Sequence, residues 1–552
     1  MPKILINEID KTSAGTPGEY SNNTVLICGF STKTNEEIIA EMEADPKLEY
    51  TLPDENGVFE FYSQNDFKKT IGKVSPILDR DEETHVPAHY GNQMAYELLG
   101  QGYQIIYYSL GKVPETDAEI IEKLKMISAT DANTTNIWEI FKDKASYDFR
   151  FITHGLLAAH DAHDVAAAYN EAQTAQDDLA KAKLAMEAAI ANNDALKTDP
   201  DYDATSAAAV AAAKVEEDAE KAHEDALKKY NKLARNYNAL SEGCFTSADF
   251  DEANKAIADL AKWIQPDPGQ EYDIVPGSGR GDCVALVEIN ETAYVNDTAA
   301  RPEDKILTAA EKAASKMTSE YCACTVPSVV YKMTADAEYG GNMKFPGAFH
   351  YLVCYKRMID ANFAEWYAAA GYNRGVSNYP IDYTTVKLGE VAIQALEPRY
   401  KRTTPPTYSM PFAVNVIANF RGSYYLWGNR TCAELGSFDG SNDLTAKHFL
   451  NIRHLCTTIK KQLYVSCRRF TFDPNSDVLW INFKNSITPM LERMKADQGV
   501  RDFKIEKVYT DKKATLRAKI RIVPIEAVED FVLELSLEDS LGETAVTVAE
   551  MA

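Results

Sequence analysis

The chain has no run of about 18 apolar residues, the length that a helix needs to cross a bilayer, so no membrane-spanning segment is expected. Its opening, Met-Pro-Lys-Ile-Leu-Ile-Asn-Glu, places no basic stretch before an apolar run, so a secretory signal is not expected either. The nine cysteines contain no CxxC pair, and Cys322 and Cys324 lie closest together. We therefore expect reduced, mostly buried thiols and folding in the cytoplasm.

The sequence also lacks a convincing catalytic constellation. Asp148, His154 and Ser278 occur in an order that a serine protease triad could use. However, Ser278 lies in the glycine-rich stretch Pro-Gly-Ser-Gly-Arg-Gly-Asp, which offers no helix start to activate a serine. We expect His154 to cap or pack at the end of a strand, and we expect no enzymatic activity.

Metal and phosphate sites are equally poorly supported. Pro87 separates His85 from His89 and breaks the helix that would align them on one metal. His160 and His163 are spaced better, but lone histidine pairs are more often surface or core residues. No GxxxxGK[ST] motif is present, so no phosphate-cradling loop is expected. The sequence therefore predicts no metal and no cofactor. The tripeptide at 280–282, Arg-Gly-Asp, is expected to be a turn before a strand.

Charge is abundant but unevenly distributed. The whole chain has 58 basic and 83 acidic residues, which gives −25. Residues 399–524 contain 22 Lys+Arg against 10 Asp+Glu, a net +12, whereas residues 525–552 carry eight acids and no base. Either the two regions make complementary contacts between copies, or they are two independently solvated surfaces. Direct nucleic-acid binding is not expected, because phosphates would repel a molecule of this charge and no nucleic-acid motif is present.

Hydrophobic residues make up 45% of the chain and aromatics 10%, enough for true cores over three or four domains. The apolar run Thr24–Phe30 is typical of a buried strand in a parallel sheet. Helix followed by strand is indicated at 91–110, 137–153, 250–289 and 309–333. This alternation predicts a layered α/β domain.

Between residues 163 and 240 the composition changes to Ala, Glu, Asp and Lys. Apolar residues recur there at alternating intervals of three and four, which predicts an antiparallel helical hairpin with a small-residue seam. The predicted seam consists of Val165, Ala168, Ala172, Ala175, Leu179, Ala182, Met186 and Ala189 in the first helix, and Ala212, Val215, Ala219, Ala222, Ala226, Leu233 and Leu240 in the second. At 1.5 Å per residue, thirty residues would project about 45 Å.

The last third of the chain mixes helices and strands. Thr445–Tyr464 is predicted as a helix and Ile487–Met494 as a shorter one. Phe503–Tyr509 and Ala514–Pro524 are predicted as strands, the second with alternating apolar and basic residues.

Two sets of segments carry a family resemblance. In the second half of the chain they are W-Y-A-A-A-G-Y-N-R-G-V (366–376), N-V-I-A-N-F-R-G-S-Y-Y-L-W-G-N-R-T (415–431), F-L-N-I-R-H-L (449–455), F-T-F-D-P-N (470–475), F-K-I-E (503–506) and V-P-I-E-A-V-E-D-F-V (523–532). Their order and spacing resemble the C-terminal half of contractile-tail sheath proteins of phages and related injection machines. Further segments, F-Y-S-Q-N-D-F, A-Y-E-L-L-G-Q-G, Y-D-F-R-F-I-T, R-G-D-C-V-A-L and Y-C-A-C-T-V-P, resemble the middle domain of that family, which has a subtilisin-like fold.

The resemblance implies an α/β architecture with extended arms and a mixed α+β C-terminal domain. The implied divisions are a 1–22 N-terminal arm, a subtilisin-like α/β domain of one or two subdomains at 23–155 and 246–398, an inserted hairpin at 156–245, a C-terminal domain at 399–535 and a 536–552 C-terminal arm. It further implies a non-enzymatic subunit that polymerises as a helical homo-oligomer of stacked hexameric rings around an inner tube. Contraction would then drive the tube through a target envelope, as in viral genome ejection.

The implied partners are other copies of the chain, the inner tube protein, and the baseplate and tail terminator proteins, in a virion tail assembled in the host cytoplasm. The arms are expected to pair with neighbouring subunits through Ile4, Leu5, Ile6, Ile9, Thr544, Val546 and Val548. The C-terminal module of such proteins touches the tube, and the candidate contacts here are Met490, Arg493, Met494 and Lys495. The alternative is a non-contractile structural or baseplate component that reuses the same fold.

Overall fold

The computed structural model describes residues 23–72, 89–128, 137–156, 162–241, 247–263, 279–289, 306–332, 342–389, 414–433, 445–509 and 514–527, except residues 145, 201, 308, 309, 311, 312, 315, 378, 380, 385 and 526. Its helices α1 to α11 span Asn35–Ala44, Gln64–Ile71, Gly91–Gly100, Asp117–Ser128, Ala162–Lys197, Ala207–Ser241, Ser247–Ala261, Gly347–Asp360, Gly371–Arg374, Leu450–Arg468 and Asp477–Ala496. Its strands β1 to β13 span Thr24–Ser31, Val58–Phe61, Gln104–Lys112, Phe151–Thr153, Val284–Val287, Cys322–Val326, Val329–Lys332, Asn342–Phe345, Ile381–Thr384, Asn415–Phe420, Ser423–Trp427, Val500–Val508 and Arg517–Pro524.

One large sheet organises most of these elements. Its strand order is β11-β10-β6-β5-β4-β1-β3-β2. The six inner strands are mutually parallel, and β2 and β11 flank them antiparallel. Every residue of β1 is buried, as expected for a strand covered on both faces. The predicted parallel strand at Thr24–Phe30 is therefore confirmed.

Helices cover both faces of this sheet. On one face, Leu124 of α4 and Ile257 of α7 are fully buried in an apolar cluster. On the other, Met94 and Leu98 of α3 and Leu352 of α8 occupy a second cluster. The result is the layered α/β fold that the alternation of helix and strand predicts.

The expected boundary between residues 398 and 399 needs correction, because the large sheet crosses it. β10 pairs with β6, and β11 pairs with β10, so residues 415–427 extend the sheet that begins at Thr24. Helix α10 is tied to the same body, since the buried Arg150 donates to Tyr355 Oη at 3.0 Å and Thr458 Oγ1 at 2.5 Å. The elements after α10, namely α11, β12 and β13, form a smaller module.

The inserted hairpin is present as predicted, with α5 and α6 antiparallel and Ala172, Ala175 and Ala212 buried between them. Its seam in α6 differs from the prediction, because Val215 and Ala222 are exposed. The seam instead passes through a polar residue: Asn193 of α5 donates to the carboxylate of Glu216. An alanine-rich helix presents small apolar residues on every face, so spacing alone identifies its buried face poorly.

Helix α11 is longer than the predicted Ile487–Met494. It begins at Asp477, where the Ser476 hydroxyl accepts from Leu479 N, and it continues through Pro489 to Ala496. The extra turns escape sequence prediction because Val478 and Ile481 face solvent and disturb the apolar periodicity.

Candidate inter-subunit surface

The small C-terminal module is built on its own apolar core. Leu455 and Ile459 of α10 pack against Leu491 and Met494 of α11 and against Trp366, which comes from the segment after α8. The inner faces of β12 and β13 close this core. α10 therefore faces the large sheet on one side and the small module on the other.

Gly499 sets the approach of α11 to β12. Its N–H donates to Met494 O at 2.8 Å and ends the helix. A Cβ at this position would lie 2.7 to 2.9 Å from atoms of the Trp366 ring, so only glycine fits without displacement. The Trp366 indole N–H also donates to Asp497 O at 3.1 Å. The first residue of the W-Y-A-A-A-G segment thus anchors the turn into the sheet.

β12 and β13 form an antiparallel sheet of two strands within the part of the chain that the structure describes. Residues alternate strictly along β13: Ala518, Ile520 and Ile522 are half-buried, and the basic residues between them are exposed. This confirms the predicted alternation. A two-stranded sheet is marginal on its own.

The outer face of this small sheet is predominantly basic. It carries Lys504, Arg517, Lys519 and Arg521, against the acidic Asp502 and Glu506. Lys504 and Arg521 contact Glu506 at 2.7 and 3.2 Å. Part of the net positive charge of residues 399–524 therefore lies on the solvent-facing side of this strand pair.

One end of the module exposes large apolar side chains that sequence reasoning missed. Phe472 is 83% exposed and Tyr509 is 87% exposed. Val478 and Ile481 of α11 are also exposed. Lys507 links this end together: it contacts Asp477 at 2.8 Å and its Nζ lies 5.9 Å from the Tyr509 ring centroid. Aromatic side chains presented in this way are typical of protein interfaces.

The four candidate tube contacts fall into two groups. Met494 is buried in the module core and Met490 is partly buried against it, so these two side chains are not surface contacts here. Arg493 and Lys495 are exposed, and they form ion pairs with Asp497 at 3.6 Å and Asp502 at 3.1 Å, respectively. The methionines fall on the inner face because Met490 and Met494 each follow a buried residue, Ile487 and Leu491 respectively, by three positions on the helix.

The arm residues lie outside the described residues. These are Ile4, Leu5, Ile6 and Ile9 in the first 22 residues, and Thr544, Val546 and Val548 near residue 552. Their pairing with a neighbour stays a prediction.

The Arg-Gly-Asp tripeptide is buried, which rules it out as an exposed adhesion site. The Arg280 guanidinium bonds both carboxylate oxygens of Asp282, at 2.9 and 3.1 Å, and donates to the carbonyls of Phe141 and Tyr147. Burial opposes the charge on Asp282, but Arg280 and nearby lysines outweigh it and hold the pKa of that carboxyl below its usual range. The tripeptide does precede strand β5, as expected, and locks it to the loop before β4.

His154 follows β4 and is completely buried, as the packing interpretation predicts. Its Nε2 lies 2.9 Å from Asn254 Oδ1, and its Nδ1 accepts from Leu156 N. Asp148 instead pairs with Lys461. Ser278 is outside the described residues. Burial lowers the pKa of His154 to about 4 and that of His89 to about 3.

The described cysteines are all free thiols and six of the eight are buried. Burial raises the pKa of Cys28, Cys283 and Cys322 to about 12. Over the described ranges, no group of three His, Cys, Asp or Glu side chains is arranged to hold a metal ion. Nor does a search of those residues find a helix both long and apolar enough to cross a membrane.

No protein-family model and no curated protein matches this chain. Among solved structures, one similar chain belongs to the PVC sheath complex of an extracellular contractile injection system in its contracted state. The two share 15% identity over 48% of this chain and 66% of that chain, just under two thirds, with a TM-score of 0.35. Another belongs to the baseplate of the anti-feeding prophage (AFP), with 11% identity over 98% of this chain and all of that chain, and a TM-score of 0.46.

Proposed function

We propose that the chain is a structural subunit of a contractile tail sheath, which polymerises helically around an inner tube and contracts to drive that tube through a cell envelope. The observation that carries the proposal is the small C-terminal module. It presents a two-stranded sheet with a basic outer face. The segments that resemble sheath proteins supply the anchor Trp366, residues 503–506 in the middle of β12 and the last two residues of β13.

A sheath subunit needs contacts with its neighbours, here called joints, that stay intact while the subunits rearrange during contraction. The proposed joints are the Lys3–Ile9 and Thr544–Ala549 segments, each added as an extra strand to a neighbour's small sheet. Each backbone hydrogen bond contributes only about 1 kcal/mol net, so a joint of four or five bonds is firm but exchangeable. Charge favours the same pairing, because residues 525–552 carry eight acids and the module is basic.

The tube contact is proposed to lie on the same module, through Arg493 and Lys495. The exposed end formed by Phe472, Val478 and Tyr509 is a second candidate on the same grounds of exposure and composition. No active site is required. The extended state is a kinetic trap, and the contracted state buries more complementary surface.

Electron microscopy of the purified chain tests the proposal. A sheath subunit should form long hollow cylinders or stacks of rings. A single closed ring that never extends would favour the baseplate alternative. Monodisperse monomers at all concentrations would contradict both assembly roles.

A further inference from the structure

Helix α1 presents an acidic face with an apolar centre. Residues 35–55 contain eight acids and one base, a net −7. Glu36, Ile39 and Glu43 are spaced by three and four residues, so their side chains lie along one face of the helix. All three are exposed, and Leu52 adds exposed apolar surface in the segment that follows. This face therefore offers a partner both negative charge and an apolar contact.

The exposed end of the small module has the opposite charge around a similar apolar centre. Residues 468–484 contain three bases and two acids, and one of these acids, Asp477, is paired with Lys507 of β12 at 2.8 Å. Ile481 of α11 is exposed, and the exposed Lys484 follows it by three residues on the same helix face. Charge and exposed apolar surface thus lie side by side here too, with the sign reversed.

Phe472 has a conformation that folding alone does not favour. It lies in the connection between α10 and α11, three residues after the exposed Arg469. Its φ is 75°, in the left-handed region that bulky residues rarely adopt, although its side chain is almost fully exposed. An exposed ring buries little surface in the monomer, so it does not offset this strain. Strained residues of this kind are concentrated at sites that bind a partner.

We propose that this end of the module binds the α1 face of a second copy. The apolar side chains then cover one another, and the bases Arg469 and Lys484 approach the acids Glu36 and Glu43. All these side chains are exposed within one folded chain, so they do not cover each other there. Their contact therefore joins two copies. The inference rests on the proposed function, of which it names one interface.

The contact is heterologous, because two different faces of the chain meet. Such a contact leaves one unused face at each end of a pair, so it repeats from copy to copy and gives a closed ring or a helix. Opposite charge on the two faces speeds docking and fixes its orientation. With this end of the module used between copies, the tube contact falls to Arg493 and Lys495.

Charge reversal of one face at a time tests the contact. One variant carries Glu36→Lys with Glu43→Lys, and the other carries Arg469→Glu with Lys484→Glu. Each variant alone presents like charges on both faces, so in sedimentation velocity it should associate at least about tenfold more weakly than the parent chain. An equimolar mixture should regain association, because the basic α1 face of one variant meets the acidic module of the other.

The matched controls lie on the hairpin α5–α6. Glu171→Lys with Glu217→Lys, and Lys183→Glu with Lys228→Glu, change the net charge by the same amounts at exposed positions. Both controls should associate like the parent chain, and circular dichroism should show every variant folded.

Phe472→Gly separates binding from folding. Glycine adopts a positive φ without strain, so the urea midpoint of the monomer should change little. Self-association should weaken by about tenfold or more, because an aromatic anchor has been removed from the interface.

Several results would overturn the inference. It is wrong if either charge-reversed variant associates like the parent chain, if the mixture associates no better than each variant alone, or if the hairpin controls weaken association equally. Cylinders formed by the parent chain would then leave the proposed function standing. If the parent chain forms only short oligomers and the variants follow the expected pattern, the contact stands and the proposed function fails. A parent chain that is monomeric at every concentration contradicts both.

Discussion

At the scale of single residues, the buried Arg280–Asp282 pair joins the segment before β4 to the segment before β5. The guanidinium bonds the loop carbonyls before β4 as well as the carboxylate before β5. Replacing Asp282 with Asn should lower the free energy of unfolding by about 3–5 kcal/mol, because the buried cation loses its counter-ion. Urea or thermal unfolding measures the change.

The matched control for that variant is Asp497→Asn, which also removes one carboxylate from an ion pair with arginine. That pair is solvent-exposed, with Arg493 at 3.6 Å, so its loss should cost no more than about 1 kcal/mol. Equal losses of unfolding free energy for the two substitutions would show that the buried ion pair stabilises the fold no more than the exposed one does.

The buried histidines predict loss of stability in acid. The folded-state pKa of His154 is about 4 and that of His89 is about 3, both below the unfolded value of 6.5. Below pH 6.5 the unfolded chain binds protons that the folded chain does not, so stability falls as pH drops toward 4. At pH 5 the loss is at most about 2 kcal/mol per histidine.

Urea midpoints at pH 7.5 and 5.0 check this prediction. His154→Gln should flatten the pH dependence even if it lowers stability throughout. His223→Gln, in the exposed hairpin, serves as the control and should leave the slope unchanged. A His154→Gln variant with the same slope as the parent chain would show that His154 does not set the acid sensitivity.

At the scale of elements, the hairpin α5–α6 is predicted to be dispensable for folding. Its buried alanines pack between its own two helices, and it is inserted between β4 and α7 of one domain. Replacing Ala166–Asn238 with a short Gly/Ser linker should therefore leave the fold and polymerisation intact. Circular dichroism and microscopy check both. An insoluble or strictly monomeric product would make the hairpin a contact between subunits.

Helix α11 carries the prediction on the tube. Reversing Arg493 and Lys495 to glutamate should weaken co-sedimentation with the tube protein, because both side chains are exposed, and should leave self-assembly unchanged. Reversal of Lys183 and Lys228 on the hairpin alters the net charge equally and serves as the control. If the variant with both Arg493 and Lys495 reversed still co-sediments with the tube protein, these two residues are not the tube contact, and Phe472 and Tyr509 become the candidates to test.

Sequence patterns identified elements well where the local pattern is clear. The parallel strand β1 follows from a continuous apolar run, and the hairpin and the alternation along β13 follow from the spacing of apolar and polar residues. The seam of α6 and the buried position of Met494 could not be predicted from these patterns, because both depend on which side of a helix packs against its neighbour. The domain boundary was also misjudged, since a local pattern does not show that β10 pairs with β6, in which Asn415 lies opposite Thr325, ninety residues earlier in the chain.

At the scale of the whole molecule, the described fold separates a large α/β body from a small module with a basic outer sheet face. The body would supply rigidity, and the module would supply the joints. Under the proposed function, a chain with a net charge of −25 could self-associate because its basic region and the acidic residues 525–552 would attract one another in neighbouring copies.

Deletion of residues 538–552 tests this account most directly. The deletion removes the Thr544–Ala549 segment and leaves α11, β12, β13 and residues 531–537 in place. Full chain and truncated chain should be imaged side by side by negative-stain electron microscopy at the same concentration. The account predicts long hollow cylinders from the full chain, and folded, soluble subunits without long cylinders from the truncated chain. Cylinders of normal length from the truncated chain would contradict it.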